Sequence, residues 1–391
     1  MTGGPIVTTP STTFAGFSEA EFARRRRGFE EVLAEKGLAH GVLYGANRSG
    51  AAVAWLTGWP VTREAHVLVT PGEPDVLLVS FFNHVPEAIR RVPRADVRFA
   101  GDAPAATLLE LLRHRGAEHA SIGLVGPLPY DQYAALSAGR RMVDLRAEHT
   151  RLRLHKSEEE IAALSRAAEL TDLAVRAMLE PALIGCTEHE LVARVEQAYV
   201  AHGGTHHIHY LGITSMGDPD RCVPAQWSSD RRVGRGDVLT FEISAGVAPD
   251  YSGQLLRTVV VSEPPSPEVQ RLHDVAEAVL NAIETLLRPG VHVKELVDAS
   301  GLIEDAGFTT VDDLVHGFGG GYLPPVLGSR SRAIRPTPDL TLESGMTLVV
   351  QPNVSRADHR LGVQTGELLL VTDQGPRRLH AFPRGLQRVL A

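Results

Sequence analysis

From residue 151 onward the chain writes one order of elements twice, helix, helix, then antiparallel hairpin, and this repetition restricts the fold more than any other feature. In the first copy Ser157 stands three residues before Glu160, a capping box in which hydroxyl and carboxylate each satisfy an orphan amide. Ile161, Leu164, Ala168, Val175 and Met178 follow as an apolar stripe at helical spacing. Thr187 with Glu190 opens a second helix that stops at Gly203-Gly204, and Gly236-Asp237 leads into a β run over 238–243 with a return strand over 255–261. In the second copy Ser266-Pro267 supplies a cap and an N1 proline to a helix running to Leu287. A shorter helix over 293–306 ends at Gly307, and Gly345-Met346 leads into a β run over 347–351 answered by 367–372. Two such halves facing one another enclose a cleft between curved sheets, a common place for a ligand site.

The first part of the chain is organised differently. A helix over 19–36 ends at Gly37, strands follow at 41–44, 65–69 and 75–82, and a helix over 105–115 precedes a strand at 121–125. Strands interleaved with helices imply a mostly parallel or mixed sheet. The pattern stops near 144–154, so the reading is an α/β (α+β) protein with a tail over 1–14, a smaller mixed domain over 15–150 and the repeated domain over 151–391. A length of 391 residues suits two domains, and 43% hydrophobic with 22% charged residues suffices for sizeable cores. The net charge of −8 leaves no electrostatic footprint for nucleic acid. The run from Arg24 to Arg27 spreads around a helix and reads as a solvated face. Two cysteines, Cys186 and Cys222, exclude a disulfide framework and suggest a reducing compartment. Residues 1–14 lack the basic and apolar regions of a signal peptide, and no apolar window is long enough to span a membrane. The expectation is a cytoplasmic protein.

Four polar residues sit where strands or glycine loops should be apolar. Glu242 interrupts Leu239-Thr240-Phe241-Glu242-Ile243, and His316 precedes Gly317-Phe318-Gly319-Gly320-Gly321-Tyr322. Gln351 ends an apolar run before Pro352, and Glu367 begins the last strand after Gln364 and Gly366. A lone strand carboxylate usually points to water at a sheet edge. Four such features spread over both halves favour a shared pocket. His206, His207 and His209 invite a metal reading, since His207 and His209 share one face of a regular strand. Only Asp218 and Asp220, in what reads as a turn, stand near them as acids. Nucleophile elbows, phosphate loops and His-Glu-x-x-His helices are absent from the sequence.

These residues resemble those of the creatinase, prolidase and aminopeptidase P superfamily, with its pita-bread domain. The resemblance rests on Leu152-Arg153-Leu154-His155-Lys156-Ser157, Gly236-Asp237, Arg257-Thr258-Val259, Leu287-Arg288-Pro289-Gly290, His316-Gly317-Phe318-Gly319 and Leu342-Glu343-Ser344-Gly345-Met346. Trp55-Leu56-Thr57-Gly58-Trp59 resembles the superfamily's small N-terminal domain. The resemblance implies a pita-bread C-terminal domain with pseudo-twofold halves, a creatinase-type N-terminal α/β domain and a homodimer. It also implies five metal-ligand positions, which fall here at Glu242, Gln254 (or Gly253), His316, Gln351 and Gly366, the last beside Glu367. A divalent pair needs several anionic oxygens, and two amides and a glycine do not supply them. Phe241-Glu242-Ile243, Arg257-Thr258-Val259 and Tyr322-Leu323-Pro324-Pro325 look closest to the metal-free ectoine-hydrolase and creatinase branch, which cleaves C–N bonds in small molecules. That branch's general-base histidine falls near Ala225, beside Pro224, Gln226 and Trp227, so the base is missing from its usual position.

The leading expectation is a metal-independent hydrolase of a small amide or amidine, with no cofactor. Glu242, His316 and Glu367 are the expected catalytic groups, and His207, His209, Tyr210, Trp227, Gln254, Arg257, Tyr322, Gln351 and Gln364 the expected substrate contacts. Histidine suits proton transfer near neutrality. Four alternatives stand beside it: a lyase or cyclising enzyme, an Xaa-Pro metallopeptidase, a non-catalytic binding protein, and a single divalent metal on Glu242, His316 and Glu367. The expected partner is a small molecule, with neither nucleic acid nor membrane.

Overall fold

The computed structural model describes residues 14–47, 49–180 and 183–390, so the tail expected over 1–14 lies outside the described residues apart from Phe14. Residues 16–153 form one compact unit and residues from 154 onward belong to another.

The first unit is a six-stranded mixed sheet. Its strands are β1 (His40–Ala46), β2 (Glu64–Val69), β3 (Asp75–Val79), β4 (Ala95–Phe99), β5 (Ile122–Val125) and β6 (Met142–Asp144), in the order β4-β3-β2-β1-β5-β6. Successive side chains alternate faces, so Leu43 and Val67 join one apolar cluster while Val42 and Leu68 join the other. Helix α1 (Glu19–Glu35) covers one face and helix α4 (Pro104–His114) the other; α2 (Ala52–Thr57), α3 (Val85–Arg91), α5 (Tyr130–Ser137) and α6 (Arg146–Arg151) are shorter. The strand expected over 75–82 ends at Val79 and gives way to a single tight turn at Phe82–His84. The solvated-face reading of Arg24 to Arg27 fails at Arg25, which is 1% exposed. Its guanidinium donates to Glu21 Oε1 at 2.7 Å and to the Trp55 carbonyl at 2.8 Å, and stacks 4.0 Å over the Phe17 ring. Four consecutive charges spread around a helix, so one of them necessarily meets the face that packs on the core, and here it is Arg25.

The second unit carries both copies of the repeat. Helices α7 (Glu158–Met178) and α8 (Glu188–Val200) pack on the sheet β18-β10-β8-β7, made of β7 (Thr205–Ser215), β8 (Asp237–Ala248), the two-residue β9 (Tyr251–Ser252), β10 (Leu255–Val261) and, at the far end, β18 (Gln387–Val389). Both expected capping boxes form, with the Ser157 and Thr187 hydroxyls accepting from the amides of Glu160 and Glu190 and the two carboxylates reaching back. Helix α9 (Pro267–Leu286) backs the other half. The helix expected over 293–306 is two pieces, α10 (Val293–Ala299) and α11 (Leu302–Asp305), because Ser300 and Gly301 turn the chain between them. The second sheet runs β12-β11-β13-β16-β17, from β11 (Val315–Phe318), β12 (Tyr322–Leu327), β13 (Thr347–Val350), β16 (Glu367–Thr372) and β17 (Gly375–Arg378), with a separate hairpin of β14 (Asn353–Ser355) and β15 (Gly362–Gln364). Both expected hairpins are antiparallel pairs, β8 with β10 and β13 with β16. Among the described residues no helix is long and apolar enough to cross a membrane.

Hydrogen bonds tie β10 to the second half. The Gly366 amide donates to the Leu256 carbonyl at 3.0 Å, and the Thr258 hydroxyl donates to the Gln364 carbonyl at 2.9 Å while accepting from its amide at 2.8 Å. The link before β10 is equally tight against α7, where a Cβ on Gly253 would stand 2.6 Å from the Ala168 Cα and N. Because those atoms are helix backbone and cannot swing aside, Gly253→Ala is expected to cost at least about 1–3 kcal/mol. A denaturant midpoint equal to wild type would show that α7 has room to move.

Candidate active site

Strand parity decides which side chains meet between the halves. On β8, Leu239, Phe241 and Ile243 pack on the helices of their own half, which turns Thr240 and Glu242 the other way. On β13, Leu348 and Val350 face α9, so Val349 and the following Gln351 point away from it. His316 follows Val315, a residue of that same helix-facing core. Glu242, Gln351 and His316 thereby converge on a pocket of about 370 Å³, joined by Gln254, Asp312, Asp313, Tyr322, Tyr210 and His207. A larger groove of about 630 Å³ between Glu158 and Arg377 lacks such convergence of buried polar groups.

One amide organises the pocket floor. Gln254 Nε2 donates to Glu242 Oε1 and to Gln351 Oε1, both at 2.8 Å, and lies 3.4 Å from His316 Nε2. Gln351 in turn donates to Asp313 Oδ1 at 2.6 Å, and Tyr322 donates its hydroxyl to Asp313 while stacking 4.3 Å from the His316 ring. The backbone of Gln254 is held from behind, since its carbonyl accepts from His380 Nε2 at 2.9 Å and His380 Nδ1 bonds Asp172 at 2.8 Å. Gly319, Gly320 and Gly321 all have positive φ, a path that side chains resist, and the Gly320 amide donates to the Asp250 carbonyl at 2.8 Å. That contact brings Asp250 to the pocket rim.

The pocket is acidic. Burial, with the charges of Asp312 and Asp313 added, pushes the Glu242 carboxyl up to about 8, so it is protonated at neutral pH. Burial and Asp313 raise Asp312 to about 6. Burial pulls His316 down to about 4; its Nδ1 faces the Gly317 carbonyl at 3.2 Å as donor, which leaves a lone pair on Nε2. Among the described lining residues none is Lys or Arg.

The structure separates the sequence candidates into two groups. Glu242, His316, Gln254, Gln351, Tyr210, His207 and Tyr322 share the pocket lining, whereas Glu367, Arg257, Gln364, His209 and Trp227 stand outside it. Glu367 and Arg257 follow the parity of Leu369 and Val259 into the helix-facing cores. They pair there as a fully buried ion pair, and Arg378 Nε adds a second bond to Glu367 at 2.7 Å. Burial raises the Glu367 carboxyl, but the arginines outweigh it and the net shift is downward. Gln364 serves from behind, donating to Asp312 Oδ2 at 2.8 Å. Trp227 is 85% exposed. The expected common face of His207 and His209 is undone by a β-bulge between His206 and Ile208, which turns His207 into the pocket and leaves His209 against Tyr199. Asp312, Asp313 and Asp250 went unnoticed in the sequence, although a pair of acids just ahead of the apolar Leu314-Val315 was a usable signal.

The donor set does not fit a metal pair. Of the five positions implied by the resemblance, two are amides bonded to one another, which bring no anionic oxygen. The fifth, Gly366, offers no ligand atom, and a Cβ there would lie 2.7 Å from Leu256 Cδ1 and 3.1 Å from Gln351 Cβ, so that Leu256 would have to shift to admit a side chain. A single metal on Glu242, His316 and Glu367 fails because Glu367 faces its arginines on the other side of the sheet.

Two pseudo-repeated half-sheets closing on a polar pocket define a pita-bread protein of the prolidase type. Residues 162–373 match the model of metallopeptidase family M24, and the chain belongs to that family. It is 28% identical over 236 residues to an Xaa-Pro dipeptidase of Pyrococcus furiosus, covering 60% of this chain and 65% of that one. It is 27% identical over 273 residues to an Xaa-Pro dipeptidase of Pyrococcus horikoshii, covering 68% and 74%. Among solved structures it is similar to the X-Pro aminopeptidase of Thermotoga maritima, with TM-score 0.80 at 20% identity over 93% of this chain and 99% of that one. The prolidase of Thermococcus sibiricus gives TM-score 0.81 at 20% identity over 95% and 100%.

Glu367→Gln leaves the Arg257 guanidinium buried against a neutral amide, and breaking such a pair costs about 3–5 kcal/mol. The expected outcome is a large drop in the denaturant midpoint with ligand affinity at the pocket unchanged in the folded protein. Equal stability, with lost binding instead, would return Glu367 to the site.

Proposed function

We propose that this chain hydrolyses the C–N bond of a small amide carrying a cationic group, using Glu242 and His316 without a bridged metal pair. The observation that carries the reading is the Gln254 amide, which occupies the space between Glu242 and Gln351 with hydrogens rather than lone pairs. Neutral His316, with the lone pair on Nε2 beside the Gln254 amide, takes the proton of the attacking water. Protonated Glu242 gives its proton to the departing nitrogen, and the Asp312 and Asp313 carboxylates hold the substrate's positive group. A lyase or cyclising reaction would instead leave the product without oxygen from labelled water.

The relatives favour one substrate class. Their names are Xaa-Pro dipeptidases, and a pocket of about 370 Å³ accommodates a dipeptide with its ammonium against the aspartates. A metal-dependent Xaa-Pro dipeptidase is therefore the second reading, and ordinary chelation separates the two. Chelator-treated protein is expected to keep its turnover of Xaa-Pro dipeptides or small amides; turnover that vanishes and returns with added divalent ions would establish the metal-dependent reading.

The pH dependence follows from two groups. kcat/KM is expected to rise as His316 loses its proton near pH 4 and to fall as Glu242 loses its proton near pH 8, giving a bell. A profile level through pH 9 would remove Glu242 as the acid. Glu242→Gln should lower turnover by about 10²-fold or more. Because the folded-state pKa of Glu242 is raised from 4.5 to about 8, stability falls as pH climbs through that interval, and the Gln variant should escape the loss in melts taken across it.

A further inference from the structure

The bulge that turns His207 into the pocket has a second effect on the opposite side of β7. Three residues apart, His206 and His209 would face opposite ways on a regular strand; the inserted residue puts them together. Their Nδ1 atoms stand 3.2 Å apart, with ring centroids 4.4 Å apart and the planes nearly perpendicular. Glu196, on α8, places Oε1 3.6 Å from His206 Nδ1 and 3.5 Å from His209 Nδ1. Among the described residues this is the one group of three metal-ligating side chains whose ligand atoms all lie within 4.8 Å of one another.

Those separations have a specific meaning. Ligands held about 2.0–2.1 Å from a tetrahedral zinc ion stand about 3.3–3.4 Å from each other. The three edges of 3.2, 3.5 and 3.6 Å are those of such a tetrahedron's face. His209 Nε2 is buried without a hydrogen-bond partner among the described residues, so that ring's polar engagement lies at Nδ1, toward the other two groups. The side chains of His206 and Glu196 are 39% and 48% exposed, which leaves an entry path and a fourth position for water.

The geometry points to a site for one divalent transition ion, zinc by its two imidazoles and one carboxylate, on Glu196, His206 and His209. It is separate from the pocket, none of the three being in the pocket lining, and it does not rest on the reaction proposed above. Occupancy fastens α8 to β7 across the bulge. Since His207 lies between the two histidine ligands, the ion also fixes the segment that presents His207, Ile208 and Tyr210 to the pocket.

The test uses tag-free full-length protein, stripped with chelator and titrated with Zn²⁺ by calorimetry and with Co²⁺ by visible absorption. One ion per chain is expected, with the intense visible bands of tetrahedral Co²⁺. Glu196→Gln and His206→Gln, both at exposed positions and checked for folding by circular dichroism, should each weaken binding by about 100-fold or more, since even outer-shell partners cost 10–100-fold. Zn²⁺ should raise the melting temperature of wild type and of His316→Gln but not of His206→Gln. Failure of wild type to bind either ion would reduce the cluster to a hydrogen-bonded histidine pair and overturn the assignment. So would binding that survives in Glu196→Gln and His206→Gln but is lost in His316→Gln, which would move the ion into the pocket.

Discussion

The joint between the two half-sheets depends on one buried guanidinium. Arg257 Nη1 donates to the Leu256 carbonyl at 2.8 Å and to the Gly366 carbonyl at 2.7 Å, its Nη2 pairs with Glu367, and its Nε donates to the Pro383 carbonyl at 3.0 Å. Each half contributes acceptors, so neither sheet edge is satisfied without the other. A buried charge of this kind adds little net stability, because desolvation offsets most of the Coulomb gain. What it supplies is registry: the Leu256–Gly366 bridge and the Thr258–Gln364 bonds follow from where Arg257 pins the strands. Registry sets the distance between Glu242 on one sheet and Gln351 on the other, which a single Gln254 amide then spans.

That amide changes the electrical character of the pocket. Carboxylates crowded at the same positions would need cations to hold them together. Two glutamines close the gap with neutral hydrogen bonds instead, and Glu242 responds to burial by keeping its proton. The pocket's negative charge is displaced to Asp312 and Asp313, which Gln364, Gln351 and Tyr322 orient from three directions. Family membership and pocket chemistry therefore pull in different directions: the relatives' names speak for dipeptides, while the donor set speaks against the metal pair that the resemblance implies.

Much of this was legible in the sequence, and the failures have a common cause. Capping boxes and apolar stripes are local, so α7, α8, α9 and both hairpins could be read directly. Glu242, His316 and Gln351 were recognisable as polar intrusions in apolar or glycine-rich runs. Arg257 and Glu367 are such intrusions too, yet they face the helices. Counting by twos from Val259 and Leu369 would have placed them there, because parity is written in the apolar residues beside them. His209 has the parity of Leu211 and Ile213 and belongs to the same correction. Arg25 meets the Trp55 carbonyl from another element, and Glu196 meets its two histidines across an element boundary, so neither contact is written in local spacing.

Only the bulge at His206–Ile208 was beyond any counting rule, since it breaks the count itself. One surplus residue sorts three neighbouring histidines onto two sides, His207 lining the pocket and His206 with the buried His209 lying beside α8. The strand thus acts as a partition whose two walls are wallpapered from the same short stretch of sequence. Removing the surplus residue would shift the whole segment by one step and exchange the tenants of the two rooms.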